Sequence, residues 1–318
     1  MRYRPLGDSG LQVSVVGLGC NNFGRRLDAD GARSVVDAAI EAGITLFDTA
    51  DMYGGGGGSE EVLGELLAGR RDQVVLATKF GHQGFDMGYG TAAGAKGGRG
   101  YIRRAVEASL RRLRTDHIDL YQLHTADPVT PIAETIAALD ELVRDGKVRY
   151  IGHSNLSGWQ IADAAHVAER MGAVPFVSAQ NHWSLLERGA EAEVVPAARR
   201  FGLGVLPFFP LANGLLTGKV RRGQAPPPGS RLASREGFIT QERLDKVEAL
   251  IAWADTQGVT LLDVAIGGLA ARPGCTSVIA GAMSAEQVKA NAAAGEWIPA
   301  PDQLAGIDRV VPPAVSSA

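Results

Sequence analysis

Only two cysteines, Cys20 and Cys275, occur in the 318-residue chain. They lie far apart and show no metal-ligand spacing, so neither a disulfide framework nor a zinc site is expected. Both read as free thiols that pack like small apolar residues. Long hydrophobic runs are also missing, and nothing spans a bilayer by length. The N-terminal stretch "MRYRPLGDSGLQVSVVG" has no apolar core ending in a cleavage signal. A cytoplasmic location without membrane contact is therefore expected. There is no excess of basic charge: 32 Lys and Arg stand against 35 Asp and Glu, giving a net charge of -3. No basic stripe interleaved with aromatics appears, so nucleic acid is not an expected partner. The histidines at 82, 117, 124, 153, 166 and 182 have no ligand partners at useful spacing, and no metal is expected. No interface signature indicates an oligomeric state.

Several familiar motifs fail. "GLGCNN" (17–22) resembles a dinucleotide-binding turn, but Asn22 replaces the third glycine and no acid follows at the expected place. "NGLLTGKV" (213–220) resembles a phosphate-binding loop, but Asn213 replaces the first glycine and Val220 the hydroxyl. No Tyr has a Lys four residues later, and no GxSxG occurs.

What is present is a repeated pattern. Short apolar runs recur: "VSVVGLGC" (13–20), "TLFDTA" (45–50), "VVLATKF" (74–80), "IDLYQLH" (118–124), "VRYIGHSN" (148–155), "FVSAQNHW" (176–183), "GVLPFFP" (204–210) and "TSVIAGA" (276–282). Continuous apolar character suits parallel strands buried on both faces. Amphipathic helical patterns lie between them. Residues 30–42 place Ala32, Val35, Val36, Ala39 and Ile40 on one face. "SEEVLGELLAG" opens with Ser59 as an expected N-cap, with acids in its first turn and Gly69 beyond its end.

Eight strand–helix units call for a (β/α)8 TIM barrel or a doubly wound sheet. The barrel is favoured, because eight units close without remainder and polar residues collect at the C-terminal ends of the strands. One domain over residues 1–318 is expected, with an N-terminal hairpin in "RYRPLGDSGLQVS". Residues 81–100, glycine-rich and without periodicity, and 221–240 read as extra unstructured loops at the C-terminal face. The tail "VVPPAVSSA" reads as frayed.

Asp48, Tyr53, Lys79 and His124 would converge at the top of such a barrel, because adjacent strand tops lie side by side. An ammonium beside a phenol favours phenolate, so Lys79 is expected to lower the pKa of Tyr53. Asp48 would hold Lys79, and His124 would orient a carbonyl. The set suits protonation of an oxygen as hydride reaches carbon. Taken singly, Asp48 reads equally well as a helix-capping or loop-closing acid, while Tyr53 reads more readily as a half-exposed loop aromatic and His124 as a structural residue. A glycosidase reading lacks a second carboxylate at a strand end.

"FDTADMYG", "ATKFG", "IDLYQLH", "GKVRYIGHSN" and "FPLANGLLTGK" resemble the successive motifs of the aldo-keto reductase superfamily, in particular its bacterial, potassium-channel β-subunit-like branch. The likeness runs from "LGDSGLQVSVVGLGC" to "AEQVKAN", nearly the whole chain. It implies a barrel that interconverts carbonyls and alcohols with NADPH and no metal, with a small aldehyde, ketone or sugar as substrate. The family tetrad falls on Asp48, Tyr53, Lys79 and His124, with Tyr53 as general acid and base.

The likeness also implies cofactor contacts. Ser154, Asn155 and Gln180 would hold the carboxamide, with Asp48 facing the ribose and Asn21 alongside. Phe208, Phe209, Pro210, Leu211, Ala212 and Asn213 would run along the nicotinamide and pyrophosphate. Lys219 and Arg231 would close over the diphosphate. Gly281, Met283, Gln287 and Asn291 would line the adenosine end. In isolation, Ser154 and Asn155 read equally as a helix N-cap for 157–170, and Gln180 as a core amide.

Two departures bear on the cofactor. Phe208–Phe209 stand where relatives commonly carry Tyr-Ser or Trp-Ser, and Met283 stands where many have a basic residue. NADPH is the expected cofactor and NAD(H) the alternative. The remaining alternatives are a sugar or alcohol dehydrogenase and a nucleotide-sensing subunit with little turnover.

Overall fold

A computed structural model describes residues 1–313 except 228, 229 and 236. Two short strands, β1 (Tyr3–Pro5) and β2 (Gln12–Ser14), pair antiparallel as the expected hairpin. Its turn needs Gly7, where φ is +58° and a Cβ would meet the Gly202 carbonyl oxygen at 2.4 Å. Leu6 and Val13 of the hairpin pack against Leu46, Ala77, Leu120, Leu206 and Ile279 from the barrel strands.

The barrel strands are β3 (Val16–Gly19), β4 (Leu46–Asp48), β5 (Val75–Phe80), β6 (Ile118–Leu123), β7 (Val148–Ser154), β8 (Ser178–Gln180), β9 (Gly204–Val205) and β10 (Val278–Gly281). All pair parallel in the order β10-β3-β4-β5-β6-β7-β8-β9. The ring closes through parallel bridges Val205–Cys275 and Phe208–Ile279, with the Ile279 N–H donating to the Pro207 carbonyl at 2.9 Å. This is the expected (β/α)8 TIM barrel. Its strands are buried nearly end to end, which is why their sequences read as unbroken apolar runs.

The surrounding helices are α1 (Ala29–Glu41), α2 (Tyr53–Gly56, one turn), α3 (Gly58–Leu66), α4 (Arg99–Leu113), α5 (Ile132–Arg144), α6 (Gly158–Met171), α7 (Val194–Arg200), α8 (Gln241–Gln257), α9 (Leu261–Ala270), α10 (Ala285–Ala294) and α11 (Pro301–Val310). In α1 the expected face is buried at Ala32, Val35, Val36 and Ala39, while Ile40 is partly exposed. Among the described residues no single helix is long and apolar enough to cross a membrane.

Local expectations need correction in three places. The run 13–20 is two strands, because the Ser14 hydroxyl donates to the Val16 carbonyl and accepts from the Thr45 N–H, turning the chain between hairpin and barrel. Ser59 is not an N-cap. The helix starts at Gly58, and Ser59 is buried inside it, donating to the Cys20 carbonyl at 2.8 Å and bonded to the Thr49 hydroxyl. The loop 81–100 is not featureless. Lys96 Nζ donates to the carbonyls of His82, Gln83 and Phe85, and Thr91–Ala93 form a 3-10 turn. In the second long loop, Leu232 packs with Leu215 and Leu216, and Arg221 pairs with Glu248 of α8. In the tail, α11 ends at Val310, and residues 314–318 lie outside the described residues.

Candidate active site

Parallel pairing sets the site. Asp48 ends β4 opposite Ala77 of β5, so Lys79, two residues on, shares its inward face. Lys79 lies opposite Gln122 of β6, and Ser154 opposite Gln180. Tyr53 opens the turn that follows β4, and His124 follows β6.

The four expected polar residues do meet. Lys79 Nζ donates to Asp48 Oδ2 at 2.7 Å and to the Thr49 carbonyl at 2.8 Å. The same nitrogen lies 5.1 Å from the Tyr53 ring centroid. The Tyr53 and His124 rings meet edge to face at 5.9 Å. Asp48 Oδ1 accepts from Gln180 Nε2 at 2.9 Å and from Gln122 Nε2 at 3.1 Å. Both oxygens of Asp48 are thus committed, and the loop-closing alternative gives way to a buried ion pair.

Protonation follows from burial and neighbours. Burial pushes the Tyr53 phenol up, and the Lys79 ammonium pulls it back without overcoming that rise. The expectation of a lowered Tyr53 pKa is not met: desolvation of the phenolate outweighs one cation already shared with Asp48. Burial draws Lys79 down, but Asp48 and Tyr53 outweigh it and hold the lysine above its ordinary value. Burial, then Lys79 and His82, keep His124 well below the ordinary histidine range. At neutral pH the site therefore holds a protonated phenol, an ammonium and a neutral imidazole. Such an imidazole donates one hydrogen bond; His124 Nδ1 is buried and has no partner among the described residues.

These groups open on a cavity of about 820 Å³, within the range of small-molecule and cofactor sites. Asp48, Tyr53 and His124 line it; Lys79, fully buried, acts from behind them. Ser154, Asn155 and Gln180 line it as well. The helix-cap alternative for Ser154 and Asn155 falls away, since α6 begins at Gly158, where the Ser157 N–H donates to Gln160 Oε1. Asn155, at φ +61°, donates through Nδ2 to the His124 carbonyl and to Ser154 Oγ.

Phe208, Phe209, Pro210, Leu211 and Asn213 form another wall, while Ala212 is buried in the core behind it. Phe209, Ala212 and Asn213 all have positive φ, a cost of roughly 1–2 kcal/mol each that such segments carry mostly at functional sites. Phe208 stacks on His182, with centroids 5.4 Å apart and planes 7° from parallel. Arg231 Nη2 donates to Asn21 Oδ1 at 3.1 Å and Asn22 Oδ1 at 3.0 Å, joining the long loop to the first strand's loop. Its guanidinium lies 5.3 Å from the Phe209 ring centroid. Lys219, Gly281, Met283, Gln287 and Asn291 complete the expected lining.

A nicotinamide dinucleotide fits this donor set. Asn213 lines the cavity with its Oδ1 buried and without a partner among the described residues, which suits an incoming N–H or O–H. The cations Lys219 and Arg231 suit a diphosphate. Met283, Gln287, Ala290 and Asn291 bring no basic side chain. Lys289 points elsewhere, 3.3 Å from Glu41. Gln287 Oε1 accepts from the Met283 N–H, closing the first turn of α10.

Sequence reasoning missed Gln122, Met52, His82 and Arg26. The last three line the cavity, and Gln122 braces Asp48. A lone amide inside "IDLYQL" was the available signal for Gln122.

Residues 15–311 match a family model described as "Aldo/keto reductase family". The chain is 41% identical over 295 residues to "Uncharacterized oxidoreductase YrpG" of Bacillus subtilis (strain 168), covering 91% of this chain and 89% of that one. It is 34% identical to "Probable voltage-gated potassium channel subunit beta" of Oryza sativa subsp. japonica, over 98% of this chain and 97% of the relative. It is 33% identical to "L-glyceraldehyde 3-phosphate reductase" of Escherichia coli (strain K12), over 92% and 86% respectively.

Proposed function

Because the chain belongs to the aldo/keto reductase family, we propose that it interconverts a carbonyl and an alcohol with a nicotinamide dinucleotide, Tyr53 acting as general acid and base. The observation that carries this reading is the buried Asp48–Lys79 pair behind a protonated Tyr53 at the cavity wall. The bound dinucleotide supplies or accepts the hydride. Tyr53 passes its hydroxyl proton to the carbonyl oxygen during reduction. Lys79 stabilises the phenolate left behind, and Asp48 fixes Lys79 against the burial that would neutralise it. His124, neutral, donates a hydrogen bond that orients the carbonyl. In the reverse direction the phenolate takes the alcohol proton.

NADPH is the family's usual carrier and our first assignment. The adenosine end has Met283 in place of a cation, which favours acceptance of NADH as well. The test is binding of each dinucleotide by fluorescence, followed by its oxidation with a panel of aldehydes, ketones and sugars. Failure to bind either one contradicts the proposal. A second reading, a nucleotide-sensing subunit, draws support from the likeness to a channel β subunit over nearly the full length. Tight dinucleotide binding with negligible turnover across the panel favours that reading.

A further inference from the structure

Behind the Tyr53 turn lies a cluster of buried polar side chains that the reaction above does not use. Its centre is Asp51, 1% exposed, with no hydrogen-bond partner among the described residues on either carboxyl oxygen. The backbone N–H groups of Met52 and Gly81 face this carboxyl without closing a bond of ordinary geometry. Met52 precedes Tyr53, and Gly81 precedes His82, whose ring meets that of His124 at 4.7 Å. Asp51 therefore stands between the two loops that flank the reacting end of the cavity.

We propose that Asp51 is a positioning residue: its carboxyl couples the Tyr53 turn to the His82 loop, and gain or loss of its proton alters turnover. The proposal rests on the carbonyl-reductase reading for its catalytic readout only. A carboxylate draws both backbone N–H groups toward it and holds the loops together. A neutral acid accepts more weakly and itself donates a proton, so the two loops are released from one another.

The surroundings poise the group between these states. From α3, Glu60 adds a like charge, itself bonded to Thr78 Oγ1 and to Arg112 Nε at 2.7 Å. From α4 come Arg112 and Tyr101, from β6 Tyr121, and from the 81–100 loop Tyr89. From β5 the Lys79 carbonyl accepts from the Asp51 N–H at 2.9 Å. The hydroxyls of Tyr101 and Tyr121 are likewise buried and have no hydrogen-bond partner among the described residues. Burial and Glu60 raise Asp51 to about 7, against the opposing pull of Arg112. Both protonation states are then populated near neutral pH.

The experiment uses the whole protein and two readouts. The first is kcat against pH for reduction of a reactive aldehyde, for wild type, Asp51→Asn and His82→Gln. Wild type and His82→Gln should both show an ionisation near neutrality, with kcat differing roughly tenfold between plateaus, and Asp51→Asn should not. The second needs neither substrate nor turnover: the ring resonances of His82 and His124 followed by NMR across the same pH range. In wild type they should carry an inflection additional to their own titration, absent in Asp51→Asn. A protein inert toward carbonyls would sink the reductase reading and leave this second readout to decide Asp51. Identical His82 and His124 curves in wild type and Asp51→Asn, or a wild-type curve with no added inflection, would overturn the proposal.

Discussion

Lys79 Nζ stands 2.7 Å from Asp48 Oδ2, and the two side chains are 1% and 5% exposed. A buried pair of this kind is weak evidence for stability, because desolvation offsets most of the attraction. Breaking it from one side is costly, since the survivor stays buried and charged. Lys79→Met alone should therefore destabilise the protein by roughly 3–5 kcal/mol. Lys79→Met combined with Asp48→Asn should lose less than the sum of the singles, by at least about 1 kcal/mol. Urea unfolding of the four proteins gives this coupling directly, and no member of the cycle except wild type should reduce carbonyls efficiently.

The barrel was legible because its strands are buried on both faces and so read as apolar runs. The meeting of Asp48, Tyr53, Lys79 and His124 was legible because strand ends and the loops that follow them collect at one mouth. What escaped was set by partners distant in sequence. The bond from Ser59 to the Cys20 carbonyl removes it from the cap position that its residue type favours. Burial overrides the effect of Lys79 on Tyr53, and burial of a loop phenol is not visible in a string of residues. Lys96 organises a glycine-rich loop through three carbonyls that only the folded backbone brings together.

His153 ties stability to acid. It is fully buried against Phe176, neither ring nitrogen has a partner among the described residues, and burial lowers its pKa to about 3. The folded state thus binds fewer protons than the unfolded one between the ordinary histidine value and about 3. This contribution is fully present above the unfolded value and is lost as pH falls through that window. At an upper bound it is on the order of 5 kcal/mol. His153→Leu should flatten the acid side of the stability curve, measured by urea midpoints at several pH values.

The glycine run separates two kinds of constraint. Gly55, at φ +83°, has nothing among the described residues within 4 Å of an added Cβ. Gly55→Ala should cost only the left-handed backbone penalty, about 1–2 kcal/mol. At Gly57, with φ +115°, a Cβ would meet Arg112 Cδ at 2.3 Å. Gly57→Ala should be the more damaging of the two and should lower kcat as well, because the displaced turn carries Tyr53. Thermal melts and steady-state rates of the two variants provide the comparison.

Met283 should govern the choice of dinucleotide. Since Lys289 is engaged near Glu41, Met283→Arg should tighten NADPH relative to NADH by roughly tenfold or more, as a charge-assisted contact implies. The ratio of the two dissociation constants, before and after substitution, is the measurement. An unchanged ratio would move the 2′-phosphate away from Met283.

Whether Tyr53 delivers the proton is read most directly from the rate of aldehyde reduction by Tyr53→Phe, alongside its dissociation constant for the dinucleotide. With Tyr53 as the acid, kcat/KM should fall roughly 10²–10⁴-fold while dinucleotide binding stays nearly unchanged. A Tyr53→Phe protein that reduces the aldehyde at the wild-type rate would contradict that role.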